Sequence, residues 1–224
     1  MHLLDFVLPP RCGGCRRVGA WLCEGCRARI RRLEEPLCRR CGVEVESARS
    51  YCGCRTRLGS LTRLRSAVAY EGPIESAVHR FKYEGWKRLA APLAQLMAER
   101  LAVEGVAARI ALAVPLHPQR QRLRGYNQAE LLARELRKLL GLRSPPGVLA
   151  RTRATPPQVG YDRKRRFENV AGAFAWNGPR WNGEAVLLID DVATTGATLD
   201  ACASALKAAG SGPVTGVSLA RVNV

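Results

Sequence analysis

The sequence is poor in aromatic residues, in acids and in long apolar runs. Aromatic residues make up 6% of the 224 residues, and 19 acids face 36 basic residues, which gives a formal net charge of +17. No apolar run approaches the roughly 18 residues that a membrane-spanning helix needs. The first ten residues carry Asp5 and no basic stretch before a short apolar one, unlike a secretory signal. We therefore expect a cytoplasmic protein with no membrane span.

The basic residues are unevenly distributed. At 47% apolar residues the chain can build a packed core, so it is not a disordered basic tail. Residues 1–65 hold 14 arginines against 6 acids, and residues 120–166 hold 13 basic residues against 3 acids. These two regions indicate polyanionic partners, either nucleic acid, a phosphorylated small molecule or both. The alternative is a solvated surface with an arginine content that follows genome composition.

Eight of the nine cysteines lie in the first quarter of the chain. Three C-x2-C pairs and one C-x-C pair each place two thiolates on one turn, where both can bind one tetrahedral Zn2+. The sequence therefore predicts two structural four-cysteine zinc sites, grouped in chain order, although an interleaved arrangement of the same thiols stays open. Four disulfides are the rival interpretation and need an oxidising compartment. The predicted ligands are Cys12, Cys15, Cys23, Cys26, Cys38, Cys41, Cys52 and Cys54.

Metal binding also explains how this first segment can fold. Residues 1–60 contain few large apolar side chains and many arginines, so they cannot bury enough surface by themselves. Structural zinc contributes on the order of 10 kcal/mol per site in small finger peptides. We predict a double zinc-ribbon module over residues 1–60 and a second domain over residues 64–224. The ninth cysteine, Cys202, is predicted to be a small buried apolar residue.

Short apolar runs alternate with amphipathic stretches after residue 64, which is typical of a parallel sheet flanked by helices. The fold class is therefore predicted to be α/β. The predicted strands are Arg65 to Tyr70, Ile110 to Val114, Val148 to Ala150, Ala185 to Ile189 and Val214 to Leu219. The predicted helices are Pro73 to Tyr83, Leu89 to Val103, Asn127 to Leu140 and Thr198 to Ala209, with Trp176 to Gly183 as an exposed turn.

The segment AVLLIDDVATTGATL, residues 185–199, carries the most specific motif. A buried strand ends in two carboxylates, and a run of small and hydroxyl residues then leads into a helix. Backbone N–H groups, a glycine and a helix N-terminus together form an anion cradle. The combination resembles the ribose-5-phosphate signature of the type I phosphoribosyltransferases, in which the acids hold ribose hydroxyls and the loop holds the 5′-phosphate. The site predicted by this resemblance comprises Asp190, Asp191, Ala193, Thr194, Thr195, Gly196, Ala197 and Thr198.

A second anion site is predicted after the strand that begins at Ile110. In the phosphoribosyltransferase fold, this stretch resembles the pyrophosphate loop. Its arginines provide guanidinium groups for a second anion, Asn127 is a plausible helix N-cap, and His117 is better explained as structural than as a general base. The candidate pyrophosphate residues are Pro115, Leu116, His117, Arg120 and Arg124.

Residues 151–174 overlap the end of the second basic region and form a further candidate segment, with six basic residues against one acid over residues 151–166. Its composition suits a cationic lid that closes over a pyrophosphate site, and it suits a surface that contacts DNA equally well. The lid or nucleic-acid candidates are Arg151, Gln158, Arg163, Lys164, Arg165, Arg166 and Asn169.

Taken in order, these motifs resemble the ComF family over nearly the whole chain. The resemblance includes the paired cysteine ribbons, the stretch Phe81 to Gly85, the run Arg124 to Gln128 and the strand with its Thr-Thr-Gly loop. The final C-x-C pair departs from the C-x2-C of the family. The resemblance implies a phosphoribosyltransferase-like domain that binds phosphoribosyl pyrophosphate or a related sugar phosphate with Mg2+, fused to a zinc module.

Two functions follow from this resemblance. In the first, the protein assists DNA uptake in natural transformation, binds single-stranded DNA and works with protein partners of the competence machinery. In the second, it is an active phosphoribosyltransferase that acts on an unidentified small-molecule acceptor. Stacking on DNA bases needs exposed aromatic rings, and the candidates are Trp21, Tyr51, Tyr70, Tyr83 and Tyr126.

Overall fold

The computed structural model describes residues 9–47, 52, 54, 58–105, 107–153 and 163–222, without the side chains of residues 163, 164 and 166. The strands within these residues are β1 (Arg63–Ala69), β2 (Ile110–Ala113), β3 (Val148–Arg151), β4 (Phe174–Asn177), β5 (Val186–Ala193) and β6 (Val214–Arg221). The helices are α1 (Glu24–Ala28), α2 (Pro73–Tyr83), α3 (Ala90–Glu104), α4 (Pro118–Arg124), α5 (Gln128–Leu140), α6 (Arg163–Val170) and α7 (Ala197–Ala208). No helix in this part of the chain is both long and apolar enough to cross a bilayer.

A four-stranded parallel sheet in the order β1-β6-β5-β2 confirms the predicted α/β class. The two central strands, β5 and β6, are buried along most of their length, as expected for a parallel sheet covered on both faces. The predicted strand at Val148 is present as β3 but does not join this sheet. It pairs antiparallel with β4, whose last two residues, Trp176 and Asn177, overlap the segment predicted to be an exposed turn.

Two apolar cores cover the two faces of the sheet. Residues of α2, α3 and α5 form one core, which includes Phe81 and Leu93. Residues of α7, the β3–β4 pair and the connector before β1 form the other core, which includes Leu58 and Trp181. Trp181 is 6% exposed, so the prediction of an exposed turn from Trp176 to Gly183 is wrong at this residue. Burial of its large ring against α7 outweighs the local turn signals.

The cysteine-rich segment covers the outer edge of β1. Arg32 forms an antiparallel bridge with Val68, and the N–H of Ala69 donates to the carbonyl of Arg31 at 2.9 Å. The N–H of Leu64 donates to the carbonyl of Arg40 at 2.7 Å. These bonds satisfy backbone groups that an uncovered edge strand would expose. The division at residues 1–60 and 64–224 stays a prediction.

The predicted helices at Pro73, Leu89, Asn127 and Thr198 are present with bounds that differ by one residue at most. Four elements were not predicted, namely α1, α4, α6 and β4. Helix α4 has no buried residue, so its sequence PQRQRLR carries no apolar periodicity that would reveal it. Helix α6 is similarly polar, and β4 has only four residues. Strand β5 is longer than predicted, because it continues through both acids to Ala193.

Candidate functional site: two cysteine clusters and a charged cleft

The eight N-terminal thiols form two groups of four in chain order, and the Sγ atoms of each group lie within 4.8 Å of one another. This arrangement answers the question of grouping that the sequence left open. Four sulfur ligands without a histidine or carboxylate suit a closed structural zinc site. The groups are Cys12, Cys15, Cys23 and Cys26, and then Cys38, Cys41, Cys52 and Cys54.

The first thiol of each cluster is prepared to bind metal as a thiolate. Burial raises the pKa of Cys12, but hydrogen bonds from backbone N–H groups outweigh burial and bring the pKa to about 6. The N–H of Cys23 is one such donor, 3.3 Å from Cys12 Sγ. Cys38 has the same balance of burial and backbone donors, and its pKa is also lowered to about 6. Because metal binds the thiolate form, these backbone groups favour zinc.

A cleft of about 450 Å³ lies at the carboxyl end of the sheet, between the ends of β2 and β5. Strand β2 ends at Ala113, which pairs with Ile189, and β5 continues for four more residues. The chain leaving β5 returns through α7 to β6, whereas the chain leaving β2 turns away into α4 and α5. Ligands of open α/β sheets bind where neighbouring connections diverge in this way.

The two acids of β5 line this cleft. Asp191 is 8% exposed, and its N–H donates to Oδ1 of Asp190 at 2.9 Å. Burial raises the pKa of Asp190 to about 8, the charge of Asp191 adds to this effect, and Lys82 opposes it. Two adjacent carboxylates therefore share one site with a strong preference for a cation or for hydrogen-bond donors.

Lys82 supplies a cation to this pair and was missed by the sequence reasoning. Its Nζ lies 2.9 Å from Oδ2 of Asp191, and its side chain, 20% exposed, belongs to the last turn of α2. Burial would lower the pKa of Lys82, but the charges of Asp191 and Asp190 raise it overall. The only sequence signal is the Phe81-Lys82-Tyr83 stretch, which is part of the resemblance described above but indicates no partner for the lysine.

The Thr-Thr-Gly loop joins β5 to α7 beside the acids. Thr194 and Thr198 line the cleft, whereas Thr195 Oγ1 accepts a hydrogen bond from the N–H of Ala197 at 3.3 Å. Gly196 has φ 84°, which favours glycine, and a Cβ there would lie 2.9 Å from Leu64 Cδ2. Its neighbours Ala193 and Ala197 are buried. The loop therefore presents two hydroxyl residues to the cleft, and its small residues pack against the core.

The opposite wall comes from the segment after β2. Pro115, Leu116, Arg120 and Arg124 line the same cleft as the acids. His117 does not line it. Its Nδ1 accepts a hydrogen bond from the N–H of Gln119 at 3.3 Å and caps α4, in agreement with a structural role.

Helix α5 begins beneath this wall and fixes it to the sheet. Asn127 caps the helix by accepting from the N–H of Ala129 at 3.0 Å, and its Nδ2 donates to the carbonyl of Val114 at 2.9 Å. Tyr126 donates from its hydroxyl to the carbonyl of Phe81, which precedes Lys82. The two walls of the cleft are therefore connected through buried side chains.

The candidate segment of residues 151–174 reaches the cleft through Arg151 at the end of β3. Burial lowers the pKa of Arg151, and the charge of Arg120 lowers it further. Arg165 is exposed and Asn169 is half-buried on α6, and neither lines the cleft. Gln158 lies outside the described residues, as do the side chains of Arg163, Lys164 and Arg166.

The cleft therefore combines two kinds of polar group. One end has acids and threonines that can bind hydroxyls, and the other has arginines that can bind an anion. A bare anion would be repelled by the acids, whereas a polyol with an anionic group would satisfy both ends.

Comparison with known proteins gives the family. The double zinc ribbon domain model matches residues 3–55. Competence protein F of Haemophilus influenzae is 32% identical over 199 residues, which cover 84% of this chain and 85% of that protein. DNA utilization protein YhgH of Escherichia coli is 30% identical over 204 residues, which cover 86% of this chain and 88% of that protein. With this similarity along most of its length, the chain belongs to the ComF family.

Proposed function

We propose that the cleft binds phosphoribosyl pyrophosphate, or ribose 5-phosphate, with Mg2+, and that the protein assists DNA uptake by binding single-stranded DNA. The observation that carries the proposal is the convergence of Lys82, the acids of β5, the threonine loop and Arg120 with Arg124 on one cleft. These groups come from three separate segments of the chain, and Lys82 and Asp190 are 108 positions apart. No packing requirement explains why buried acids and arginines should face the same cavity.

In this proposal each wall recognises a different part of the ligand. Asp190 and Asp191 accept hydrogen bonds from the 2′ and 3′ hydroxyls, and the loop with Thr194 and Thr198 holds the 5′-phosphate. Arg120 and Arg124 bind the pyrophosphate. Lys82 compensates the acids before the ligand arrives and then shares Asp191 with the sugar.

The donor set also suits Mg2+ carried by the ligand. Carboxylate and hydroxyl oxygens are hard donors, and Mg2+ binds through a few such groups together with ligand phosphates. Asp190 and Asp191 are the residues that would hold Mg2+, because both line the cleft and Asp191 is already paired with the ammonium group of Lys82. When bound, Mg2+ would neutralise part of the charge of the phosphates.

The DNA part of the proposal rests on charge and on the relatives. The net charge of +17 favours nucleic-acid phosphates, and two relatives carry the names competence protein F and DNA utilization protein YhgH. We propose that the protein acts in the cytoplasm with protein partners of the competence machinery. Arg151 and the arginines of α6 are candidates for contacts with DNA.

A second cavity favours an active phosphoribosyltransferase as the alternative. This cavity of about 470 Å³ shares Pro115, Leu116, Asn127 and Arg151 with the cleft and extends along β3. An acceptor molecule bound there would lie next to a sugar phosphate in the cleft. Catalysis would then come from positioning and electrostatics, without a nucleophilic side chain.

Calorimetric titration with phosphoribosyl pyrophosphate and Mg2+ tests the small-molecule part. We expect saturable binding by the wild type and none by the double variant Asp190→Ala with Asp191→Ala. The control is zinc content, which should stay at two ions per chain because the clusters do not include these acids. Equal affinity of both proteins for phosphoribosyl pyrophosphate would show that the two acids do not contribute to binding.

The same titration with a short single-stranded DNA distinguishes the two functions. An affinity for the sugar phosphate that changes when DNA is bound indicates coupled sites and supports the role in DNA uptake. An unchanged affinity favours the transferase and a screen of acceptor molecules. DNA binding itself should weaken steeply between about 50 and 200 mM salt, and a flat response would contradict phosphate contacts.

A further inference from the structure

Tyr83 is an aromatic ring exposed at the mouth of the cleft. It is the last residue of α2, it lines the cleft beside Lys82, and 66% of its surface is open to solvent. A tyrosine that only supports the core would be buried, because its ring carries a large apolar area. The position of this ring therefore needs an explanation other than folding.

The ring is held in place from the opposite wall. The guanidinium carbon of Arg124 lies 4.9 Å from the centroid of the Tyr83 ring, within the range of a cation–π contact. Arg124 itself is anchored, because its NH1 donates to Oε1 of the buried Gln128 at 2.6 Å. Arg124 therefore covers one face of the ring, and His79 lies beside it with 5.2 Å between the ring centroids. The exposed ring with its bound arginine is named here the Tyr83–Arg124 platform.

The charge around the platform suits a polyanion. Lys87 is four positions after Tyr83, and its Nζ lies 4.9 Å from the centroid of Tyr126. The nearest acid on the chain, Glu84, is compensated by Arg16 at 3.7 Å and by Arg80 at 4.0 Å. A phosphate that passes Tyr83 at the mouth of the cleft therefore meets Arg124 and a compensated Glu84, while Asp191 inside the cleft is paired with Lys82.

The other aromatic candidates are less suited to stacking. Tyr126 is 8% exposed, and Tyr70 is half-buried. Trp21 is half-buried and packs edge-on against Trp86 at 6.3 Å between ring centroids. Tyr51 lies outside the described residues. Among the candidates that the structure describes, Tyr83 alone presents an open ring beside the cleft.

From this geometry we infer that the Tyr83–Arg124 platform stacks against one base of single-stranded DNA, so that the strand crosses the mouth of the sugar-phosphate cleft. The inference rests on the proposed binding of DNA and adds its place on the molecule. Every base has a face that can stack on an aromatic ring, so this contact needs no particular sequence. A strand in this position would also explain coupling between DNA and the sugar phosphate.

The test uses the full-length zinc-loaded protein and oligomers that carry one 2-aminopurine at successive positions. Stacking quenches the fluorescence of this base, so one position should be quenched when the wild type binds. We expect Tyr83→Ala to abolish that quench and to weaken DNA binding roughly 5- to 150-fold, the range for loss of one stacked base. Tyr83→Trp should restore both. The thermal transition of Tyr83→Ala should stay close to that of the wild type, because 66% of the residue is exposed.

Two matched variants separate stacking from general effects. Leu123→Ala removes a neighbouring apolar side chain that is 90% exposed, and it should leave the quench intact. Arg122→Ala removes the same charge as Arg124→Ala from the same helix, but only the second should reduce the quench. An equal loss of quenching in the two arginine variants would show a general electrostatic effect in place of stacking and would overturn the inference.

The remaining outcomes distinguish this inference from the proposed function. DNA binding and quenching that are unchanged in Tyr83→Ala would overturn the platform and leave the proposed function standing. A Tyr83→Ala variant that loses phosphoribosyl pyrophosphate binding and its thermal transition together, without rescue by Tyr83→Trp, would show that the ring supports the fold. A wild type that binds phosphoribosyl pyrophosphate but no DNA would refute the DNA part of the proposed function, and the platform with it.

Discussion

The arginines near the cysteine segment and those of the cleft are held in opposite ways. Arg27 and Arg32 both pair with Glu99 of α3. Arg65 pairs with Glu104 at 2.8 Å, and both side chains are about nine-tenths buried. Carboxylates of the α/β part of the chain thus neutralise basic groups at the junction with the cysteine segment.

In the cleft, by contrast, Arg120 and Arg124 make no ion pair within the described residues. Arg124 donates to the neutral amide of Gln128, and both arginines face the cavity. Asp190 and Asp191 line the same cleft, but neither forms an ion pair with these arginines among the described residues, so a ligand anion would complete their charge pairing. The comparison therefore separates basic residues that are neutralised within the fold from basic residues that the proposed function assigns to ligand binding.

Loss of one zinc ligand should have the largest effect. We expect Cys41→Ala to lose one of two zinc ions and to destabilise the protein by several kcal/mol, because metal binding supplies folding free energy. Elemental analysis and thermal unfolding measure both quantities. Cys202→Ala is the matched control, since Cys202 is buried but belongs to neither cluster, and it should keep both ions. Full zinc content in Cys41→Ala would contradict the cluster.

Exchanging one arginine from each set tests the comparison directly. Arg65→Met should destabilise the protein by about 2 kcal/mol, because it removes charged hydrogen bonds to the carbonyls of Leu64 and Arg39 and one ion partner of Glu104, which keeps Arg100 at 2.6 Å. It should leave ligand affinity unchanged. Arg120→Met should leave stability nearly unchanged and weaken phosphoribosyl pyrophosphate binding about tenfold, as expected for a lost charged hydrogen bond of about 1.5 kcal/mol. Urea unfolding and calorimetry measure the two effects. The reverse pattern would refute the division.

The raised pKa of Asp190 predicts a dependence of stability on pH. The ordinary pKa is 3.8, and burial with the charge of Asp191 raises it to about 8. Between about pH 4 and pH 8 the folded chain keeps a proton that the unfolded chain has lost, so the free energy of unfolding falls as pH rises. We expect Asp190→Asn to reduce this slope. Urea unfolding at several pH values over that window measures it, and parallel curves for the two proteins would contradict the shift.

The smallest effect concerns Arg16 in the first cysteine cluster. This residue has φ 65°, a left-handed backbone conformation that residues other than glycine rarely adopt. Arg16→Gly should therefore stabilise the protein by about 1 kcal/mol, because its ion pair with Glu84 is long and exposed. Thermal unfolding compares it with Arg17→Gly, which has no such strain to relieve. Destabilisation of both variants by the same amount would contradict this explanation.

Regular elements and local motifs were accessible from the sequence. The pattern at Pro73 to Tyr83 predicted α2 with its observed bounds, and the cysteine spacing predicted two clusters. The α/β class could be predicted for the same reason, since periodicity and spacing are local properties of the sequence. Polar α4 and the short strand β4 were missed, since neither carries a strong apolar pattern.

The charged cleft required the tertiary structure. Lys82 is 109 positions from Asp191 in sequence, and nothing in the residues around it indicates an acidic partner. Likewise, composition cannot distinguish Arg65 from Arg120, although one is paired in the interior and the other faces a cavity. Exposure of Tyr83 and burial of Tyr126 depend in the same way on how α2 meets the start of α5.

The sequence by itself determined that eight cysteines make two four-thiol sites, the α/β class and the acidic strand with its threonine loop, whereas the structure decided which thiols share a site. Each depends on residues close together in the chain, where spacing and periodicity fix the geometry. Only the tertiary structure decided which arginines are neutralised, which lysine meets the acids and which tyrosine stays open. Burial, pKa and pairing depend on groups brought together from distant segments, and chain order does not encode those distances locally.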